Sequence, residues 1–313
     1  MYNIGIDLGG TNIAGGIVDS TGKLVHKKSV PTLHARGAEA VIEDIITLCK
    51  DLAHESSIGL NQVKSVGIGC PGIVNPPEGI LIYATNLNFN DVHIGEMVGN
   101  ELNLPVYIEN DANCAALGES IFGAAKGSKH SVAITLGTGV GGGIIIDGSI
   151  YSGSFFGAGE LGHHVINIGG ELCGCGGRGC WEAYVSATGL IRDTVKEAQN
   201  NPESLINKHV NGNLGGINAK TAFDAAAEGD AAAKKIVDNY LDYLCVGLTN
   251  IVNLLQPEII VIGGGISGQG DALINAIESR VSNTVLGGNL RTRFVIAKLG
   301  NDAGIIGAAM LSS

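Results

Sequence analysis

The sequence predicts an α/β protein of two domains built on one plan. Three observations carry this. Apolar runs of strand length alternate with segments of helical periodicity along the 313 residues. Glycine is abundant at 49 residues but lacks a collagen period, and its clusters end apolar runs, as turns and ligand-approach loops do. A hairpin also recurs at an offset of 128 residues. Ile4–Asp19 (IGIDLGGTNIAGGIVD) and Val132–Asp147 (VAITLGTGVGGGIIID) agree at six of sixteen positions. A repeat of this kind predicts two similar domains facing each other, with a ligand in the cleft between two glycine turns. The copies differ where Asp7 is replaced by Thr135.

The elements follow in order. The first thirty residues read as three short strands, with turns at Leu8–Thr11 and Asp19–Gly22. Val41, Ile45, Leu48 and Leu52 give Ala38–Glu55 an apolar helical face. KSVGIGCPG is a buried strand ending in a loop, and PVYIEN is a strand handing over at once to the helix DANCAALGESIFG. The second hairpin follows, then a helix from Trp181, and a polar loop over Asn200–Lys220. A long helix over about Asp230–Gln256 carries Val237, Leu241, Leu244, Leu248, Ile251 and Leu255 on one face. PEIIVIGGGISG reads as strand, turn and helix start. RFVIAKL is a last strand, and NDAGIIGAAML is a helix capped by Asn301 or Asp302.

Composition narrows the function. A net charge of −11 with no basic stripe argues against nucleic acid, although backbone N–H groups remain able to hold phosphates. The N-terminus enters a strand without a basic region, which predicts no signal peptide, and every apolar run is too short to span a membrane. Seven cysteines, four of them scattered singly, fit a reducing cytoplasm.

Three glycine turns point to a nucleotide. Gly9, Gly10 and Thr11, and Gly137, Thr138 and Gly139, place small residues and hydroxyls where backbone N–H groups can cradle phosphates. Gly263, Gly264 and Gly265, at a strand end before a helix, suit an adenosine contact. Asp7 stands where a carboxylate could hold Mg²⁺ through water. Any one cluster alone reads as a tight turn; three of them, with the duplicated hairpin and Asp7, read as a nucleotide site. The two G-x-G-x-x-G matches fail the dinucleotide pattern: one is followed by a strand, and the other lacks the distal acid. The stretch Glu171–Glu182, ELCGCGGRGCWE, packs three cysteines into eight residues. It is open to reading as a redox pair, a disulfide staple, a zinc finger or a structural metal site.

IGIDLGGTN, LGTGVGGG and VIGGG resemble the nucleotide motifs of the actin/hexokinase/Hsp70 ATPase superfamily. GELGH and CGCGGRGCWE are similar to the E-x-G-H and C-x-C-G-x-x-G-C-x-E signatures of the ROK family (repressor, open reading frame, kinase), and the likeness runs from Ile4 to Met310. The resemblance implies an actin-like, ribonuclease H-like fold: residues 1–112 with 302–313 as a small domain, and 113–301 as a large one. Nucleotide and sugar would lie in the cleft between them.

The implied activity is that of a ROK sugar kinase, a glucokinase feeding glycolysis. It would use ATP and Mg²⁺, and work as a cytoplasmic homodimer or homotetramer with no nucleic-acid or membrane partner. An N-acylhexosamine kinase (N-acetylmannosamine or N-acetylglucosamine) is the alternative, and a ROK transcriptional regulator a remote one. Asp111 would be the catalytic base, although Asp at a strand-to-helix junction also reads as a plain N-cap. Asn110, Glu160, His163 and Glu182 would bind the sugar, with Gly72 and Asn86 as further contacts that read equally as a turn and a loop residue. His163, Cys173, Cys175 and Cys180 would form a closed structural Zn²⁺ set, with His164 as rival ligand.

Overall fold

The computed structural model describes residues 2–312, and the chain divides into two compact units. The first comprises Met1–Ala133, Gly143–Gly159 and Ala297–Ser313, and the second Ile134–Gly142 and Glu160–Ile296.

In chain order the first part of the fold is β1 (Tyr2–Leu8), β2 (Asn12–Asp19), β3 (Leu24–Pro31), α1 (Ala38–Glu55), β4 (Val63–Cys70), β5 (Ile73–Asn75), β6 (Ile80–Ala84), β7 (Phe89–Val92), α2 (Ile94–Leu102), β8 (Val106–Asn110) and α3 (Asp111–Ile121). Then come β9 (Ser131–Leu136), β10 (Val140–Ile146), β11 (Ser149–Ile150), α4 (Glu182–Val185), α5 (Ala187–Asn200), α6 (Leu205–His209), α7 (Thr221–Ala227), α8 (Ala231–Leu255), β12 (Ile259–Gly263), α9 (Asp271–Val281), β13 (Arg293–Ile296) and α10 (Ala303–Ala309).

Two five-stranded sheets run β3-β2-β1-β4-β8 and β11-β10-β9-β12-β13, and β5-β6-β7 form a small third one. Numbered within each copy, both large sheets have the order 3-2-1-4-5. The repeat seen in the hairpins therefore extends to whole sheets, and α3 and α10 each follow the fifth strand of their copy. In the first sheet β1 and β2 are antiparallel, whereas β1, β4 and β8 are parallel.

Strand alternation explains the first core. Ile4, Ile6 and Leu8 point to one face, where they cluster with Ile42, Ile45, Leu48 and Leu52 of α1. The alternate residues on β1 and β4 include Gly5 and Gly67. A Cβ at Gly5 would lie 1.9 Å from the Ile305 carbonyl oxygen, and one at Gly67 would lie 1.7 Å from that of Ala308. These strand glycines let the backbone of α10 approach the sheet. Gly307 of α10 does the same for α3, since a Cβ there would sit 1.7 Å from the Cys114 carbonyl oxygen. α3, placed in the second domain by the sequence division at residue 112, thus lies with the first unit, packed on α10.

Other sequence expectations are corrected locally. The polar stretch Asn200–Lys220 contains α6, capped by Ser204 and anchored by the fully buried Ile206, together with a short 3-10 turn at Leu214–Gly216. Five residues of helix give too little periodicity to read. On α8 Leu241, Leu244, Leu248 and Ile251 are buried as expected, together with Ala233, Ile236 and Tyr240, while Val237 is half-buried and Leu255 exposed. Ile236 and Val237 are both apolar, so spacing alone could not choose between them. Neither Asn301 nor Asp302 caps α10 with its side chain; Asp302 pairs with Lys27. Trp181 precedes α4 as its N-cap, and Ser186 breaks that helix from α5. Among the described residues, no helix is long and apolar enough to cross a membrane.

Candidate functional site

In the first unit, the sequence-selected residues gather around the ends of β1, β4 and β8. Asn110 ends β8 and caps α3: its Oδ1 accepts from the N–H of Ala112 at 2.9 Å and of Asn113 at 3.1 Å. Its Nδ2 donates to the Gly72 carbonyl at 3.0 Å. Asp111 is therefore the first helical residue and not the cap. It is half-buried, and one carboxylate oxygen accepts from the Ala112 N–H at 2.8 Å.

Gly72 has φ +85°, and a Cβ there would lie 2.1 Å from the Tyr83 carbonyl oxygen, so the position is closed to other residues. In the first glycine turn, the Gly9 N–H closes the turn on the Asn12 carbonyl at 3.0 Å, and a Cβ at Gly10 would lie 3.6 Å from that of exposed Asn86.

Sequence reasoning missed Glu109 and Asn113. Glu109 is 6% exposed, and its Oε1 accepts from the Asn110 N–H at 2.8 Å and from Asn113 Nδ2 at 3.1 Å. The pair braces the strand end that presents Asp111. Its only sequence signal was the run Glu109-Asn110-Asp111.

Asp7 is half-buried near the end of β1, and its carboxylate abuts Gly304 of α10. Burial pushes its carboxyl above the usual range, and the nearby Lys27 pulls it back in part. A raised folded-state pKa means that this group's contribution to stability is full at acid pH and is lost as pH rises through the folded value. Asp7→Asn is therefore expected to raise the melting temperature by a few degrees at neutral pH. The gain should shrink as acid protonates Asp7 in the folded protein and vanish once the unfolded chain is protonated too. Melting curves across this range check it; a variant less stable than wild type at neutral pH contradicts the burial argument.

The second unit holds a separate set. Its glycine turn is clamped by protein groups. The Gly137 N–H donates to the Gly139 carbonyl, the Gly137 carbonyl accepts from the Ala187 N–H at 2.8 Å, and Thr188 Oγ1 donates to the Thr138 carbonyl at 2.8 Å. Gly139 leaves room for Glu182, whose Oε2 would lie 2.5 Å from a Cβ there. That same oxygen accepts from the Val140 N–H at 2.9 Å. Gly264, at φ +82°, closes on the Leu136 carbonyl, whereas Gly265 faces open space. Gly264 thus has a packing reason of its own.

Glu160 is exposed and His163 half-buried on the turn before the cysteine loop. His163 Nε2 lies 4.0 Å from a Glu160 carboxylate oxygen, and Nδ1 lies 3.7 Å from Cys173 Sγ. One nitrogen faces the acid and the other faces the thiols. The ligand atoms of His163, Cys173, Cys175 and Cys180 all lie within 4.8 Å of one another. Cys175 and Cys180 are 3.7 Å apart at sulfur. Thiolates bound at about 2.3 Å around a tetrahedral ion are separated by about 3.8 Å, so the donor set fits a metal ion. Burial pushes the Cys173 thiol up to about 12, while the Gly177 N–H holds Cys175 below the usual range. Cys173 Sγ also touches Glu182 Oε1 at 3.4 Å. His164 is not part of the set; its Nδ1 bonds the Leu161 carbonyl and its ring lies 5.3 Å from that of Trp181. Trp181 is fully buried, with its indole N–H on the Tyr243 carbonyl at 2.9 Å, and its role is packing.

The sequence matches the ROK family over residues 3–313. It is 39% identical to the glucokinase of Halalkalibacterium halodurans over 99% of this chain and 94% of that one. It is 31% identical to the xylose repressor of Bacillus subtilis over 91% of this chain and 69% of the repressor. The fold superposes on a ROK family glucokinase from Streptomyces griseus in complex with glucose and AMPPNP, with TM-score 0.83, 34% identity and 99% of both chains covered. It also superposes on a putative N-acetylmannosamine kinase from Listeria monocytogenes, with TM-score 0.79, 26% identity, and 99% of this chain and 97% of that one covered.

Proposed function

Because the chain belongs to the ROK family, we propose that it is an ATP-dependent hexose kinase that phosphorylates glucose at the 6-hydroxyl. The observation that supports this most is the Asn110–Asp111 junction: a carboxylate at a helix start, with the preceding Asn110 braced through its N–H by Glu109 and through its side chain by Gly72. In this reading Asp111 takes the proton of the sugar hydroxyl, and the helix N-terminus keeps it anionic and ready to accept. Little base strength is needed, because phosphoryl transfer through a loose transition state depends mainly on positioning and charge stabilisation.

Asn110, Glu160, His163 through Nε2, and Glu182 bind sugar hydroxyls, with Gly72 and Asn86 as further contacts. Carboxylates suit a diol because each accepts two hydrogen bonds. Gly9–Thr11 and Gly137–Gly139 hold the ATP phosphates. Since the Gly9 and Gly137 N–H groups close their own turns, the donor role falls to Gly10, Thr11 and Thr138. Gly263–Gly265 meets adenosine. Asp7 holds Mg²⁺ through water, and the ion would neutralise phosphate charge.

Zinc is the metal best suited to one imidazole and three thiolates. Four protein ligands leave no position for substrate, so its role is to fix the loop that leads to Glu182. The same reading makes the protein a cytoplasmic homodimer or homotetramer acting at the entry to glycolysis.

The kinase from Listeria keeps an N-acylhexosamine in view as substrate. A coupled ATP assay over glucose, mannose, fructose, N-acetylglucosamine and N-acetylmannosamine decides. Glucose is expected to have the highest kcat/KM, by at least about tenfold over either N-acylhexosamine, a difference of about 1.4 kcal/mol in transition-state binding. Preference for an N-acetyl sugar overturns the choice of glucose, and no turnover of any sugar overturns the kinase reading.

A further inference from the structure

The cysteine loop has almost no hydrophobic core of its own. Val165, Ile168 and Leu172 are 55%, 96% and 62% exposed, so burial of apolar side chains does not hold the loop in shape. Its backbone is a small knuckle. The N–H groups of Ile166 and Asn167 donate to the Gly179 carbonyl, that of Gly179 to the Glu171 carbonyl, and that of Cys173 to the Gly177 carbonyl.

Residues 167, 171 and 179 converge where one side chain reaches in. The Tyr184 hydroxyl accepts from Asn167 Nδ2 at 2.9 Å and from the Glu171 N–H at 2.9 Å. The fit is close, for a Cβ at Gly170 would lie 2.0 Å from the phenol oxygen. On its outer side the waist borders a cavity of about 330 Å³ lined by Asn167, Gly170, Glu171, Arg178, Tyr184 and Tyr243.

Tyr184 is itself firmly placed. It is 6% exposed, and its ring lies 4.3 Å from that of Tyr243 on α8. It stands two residues after Glu182 on the four-residue helix α4, and Trp181, on the other side of Glu182, is bonded to the same Tyr243.

We propose that Tyr184 is a positioning residue: its hydroxyl ties the waist of the cysteine loop to the helix carrying Glu182, and so holds three thiols and one carboxylate in a single arrangement. This rests on the metal reading given above. Its hydroxyl acts through Asn167 Nδ2 and the Glu171 N–H.

The test is Tyr184→Phe, which keeps the ring stack and removes only the acceptor, leaving two donors without their partner. Purified wild type is first assayed for bound zinc. Zinc release to a chromophoric chelator, without substrate, is then expected to be about tenfold faster in the variant. The glucose KM should rise about fivefold with kcat within about twofold, the split expected of a group that places a binding residue. A purely structural role would lower the melting temperature and leave zinc release and KM at wild-type values; that result overturns the inference while leaving the metal site standing. Wild type purified without zinc overturns both. Asn167→Ala removes one of the two donors and is expected to give a smaller shift of the same kind; wild-type release and KM in this variant contradict the proposal even if Tyr184→Phe does not fold.

Discussion

Asp111→Asn is expected to lower kcat about a thousandfold while leaving the glucose KM within about threefold of wild type. The substitution is nearly isosteric, and the structure explains why it should not disturb the fold. The cap of α3 is Asn110, whose Oδ1 serves the Ala112 and Asn113 N–H groups, so an amide at the first helical position removes no cap. An asparagine oxygen can still accept from the Ala112 N–H, as the Asp111 carboxylate does at 2.8 Å. What disappears is a proton acceptor held in place at the hydroxyl. General base catalysis contributes about 10²–10⁴ in rate, and a thousandfold loss is about 4 kcal/mol of transition-state stabilisation. Equal melting temperatures and equal glucose binding by calorimetry would show that only chemistry was lost. A variant retaining more than about a tenth of wild-type kcat removes Asp111 from the role of base.

What the sequence could show and what it could not divides by how local the cause is. The helix Ala38–Glu55 was legible to the residue because its apolar stripe is complete within one element. The hairpin repeat at an offset of 128 was legible too, and it foretold more than hairpins, since both sheets share one strand order. The four metal-ligating candidates lie within eighteen residues of sequence, and the fold brings them together.

Glycine was read less well. Gly5 and Gly67 fell within segments read as strands, but nothing in the sequence explained why glycine stands there: the α10 backbone, some 240 to 300 residues away in sequence, presses on them. No local pattern announces such a partner. Glu109 and Tyr184 were missed for the same reason in smaller form. Each is an unremarkable residue until the fold places backbone N–H groups against its oxygen. The glycine turns also look different once bonded: Gly9 and Gly137 use their own N–H groups to shape the turns they were expected to open toward phosphate.

Replacing Cys180 by serine is expected to abolish zinc binding and to raise the glucose KM at least about thirtyfold, equivalent to about 2 kcal/mol of lost sugar binding. Cys180 is 3% exposed, 3.7 Å from Cys175 at sulfur, and joined through Trp181 to Glu182. A serine hydroxyl does not deprotonate at neutral pH to replace a thiolate, so the set falls to three ligands. With its apolar side chains already in solvent, the loop then keeps the knuckle's main-chain bonds, the Tyr184 tie and the surface ion pairs of Glu171 with Arg192 and Lys196. Cys173, which touches Glu182 Oε1 at 3.4 Å, is no longer fixed.

The damage should stop at α4, because Trp181 is buried on α8 and Ser186 and Thr188 lock the start of α5. The expected pattern is a folded protein, free of zinc, cut by trypsin at Arg178 within the loop, with weak sugar binding and ATP affinity near wild type. Chelator-stripped wild type should behave alike and recover when zinc is returned, since the metal stabilises only the state that binds it. A zinc-free protein with a wild-type glucose KM would separate the metal from the sugar, and Glu182 would then owe its position to the Val140 N–H and the α4–α8 packing alone.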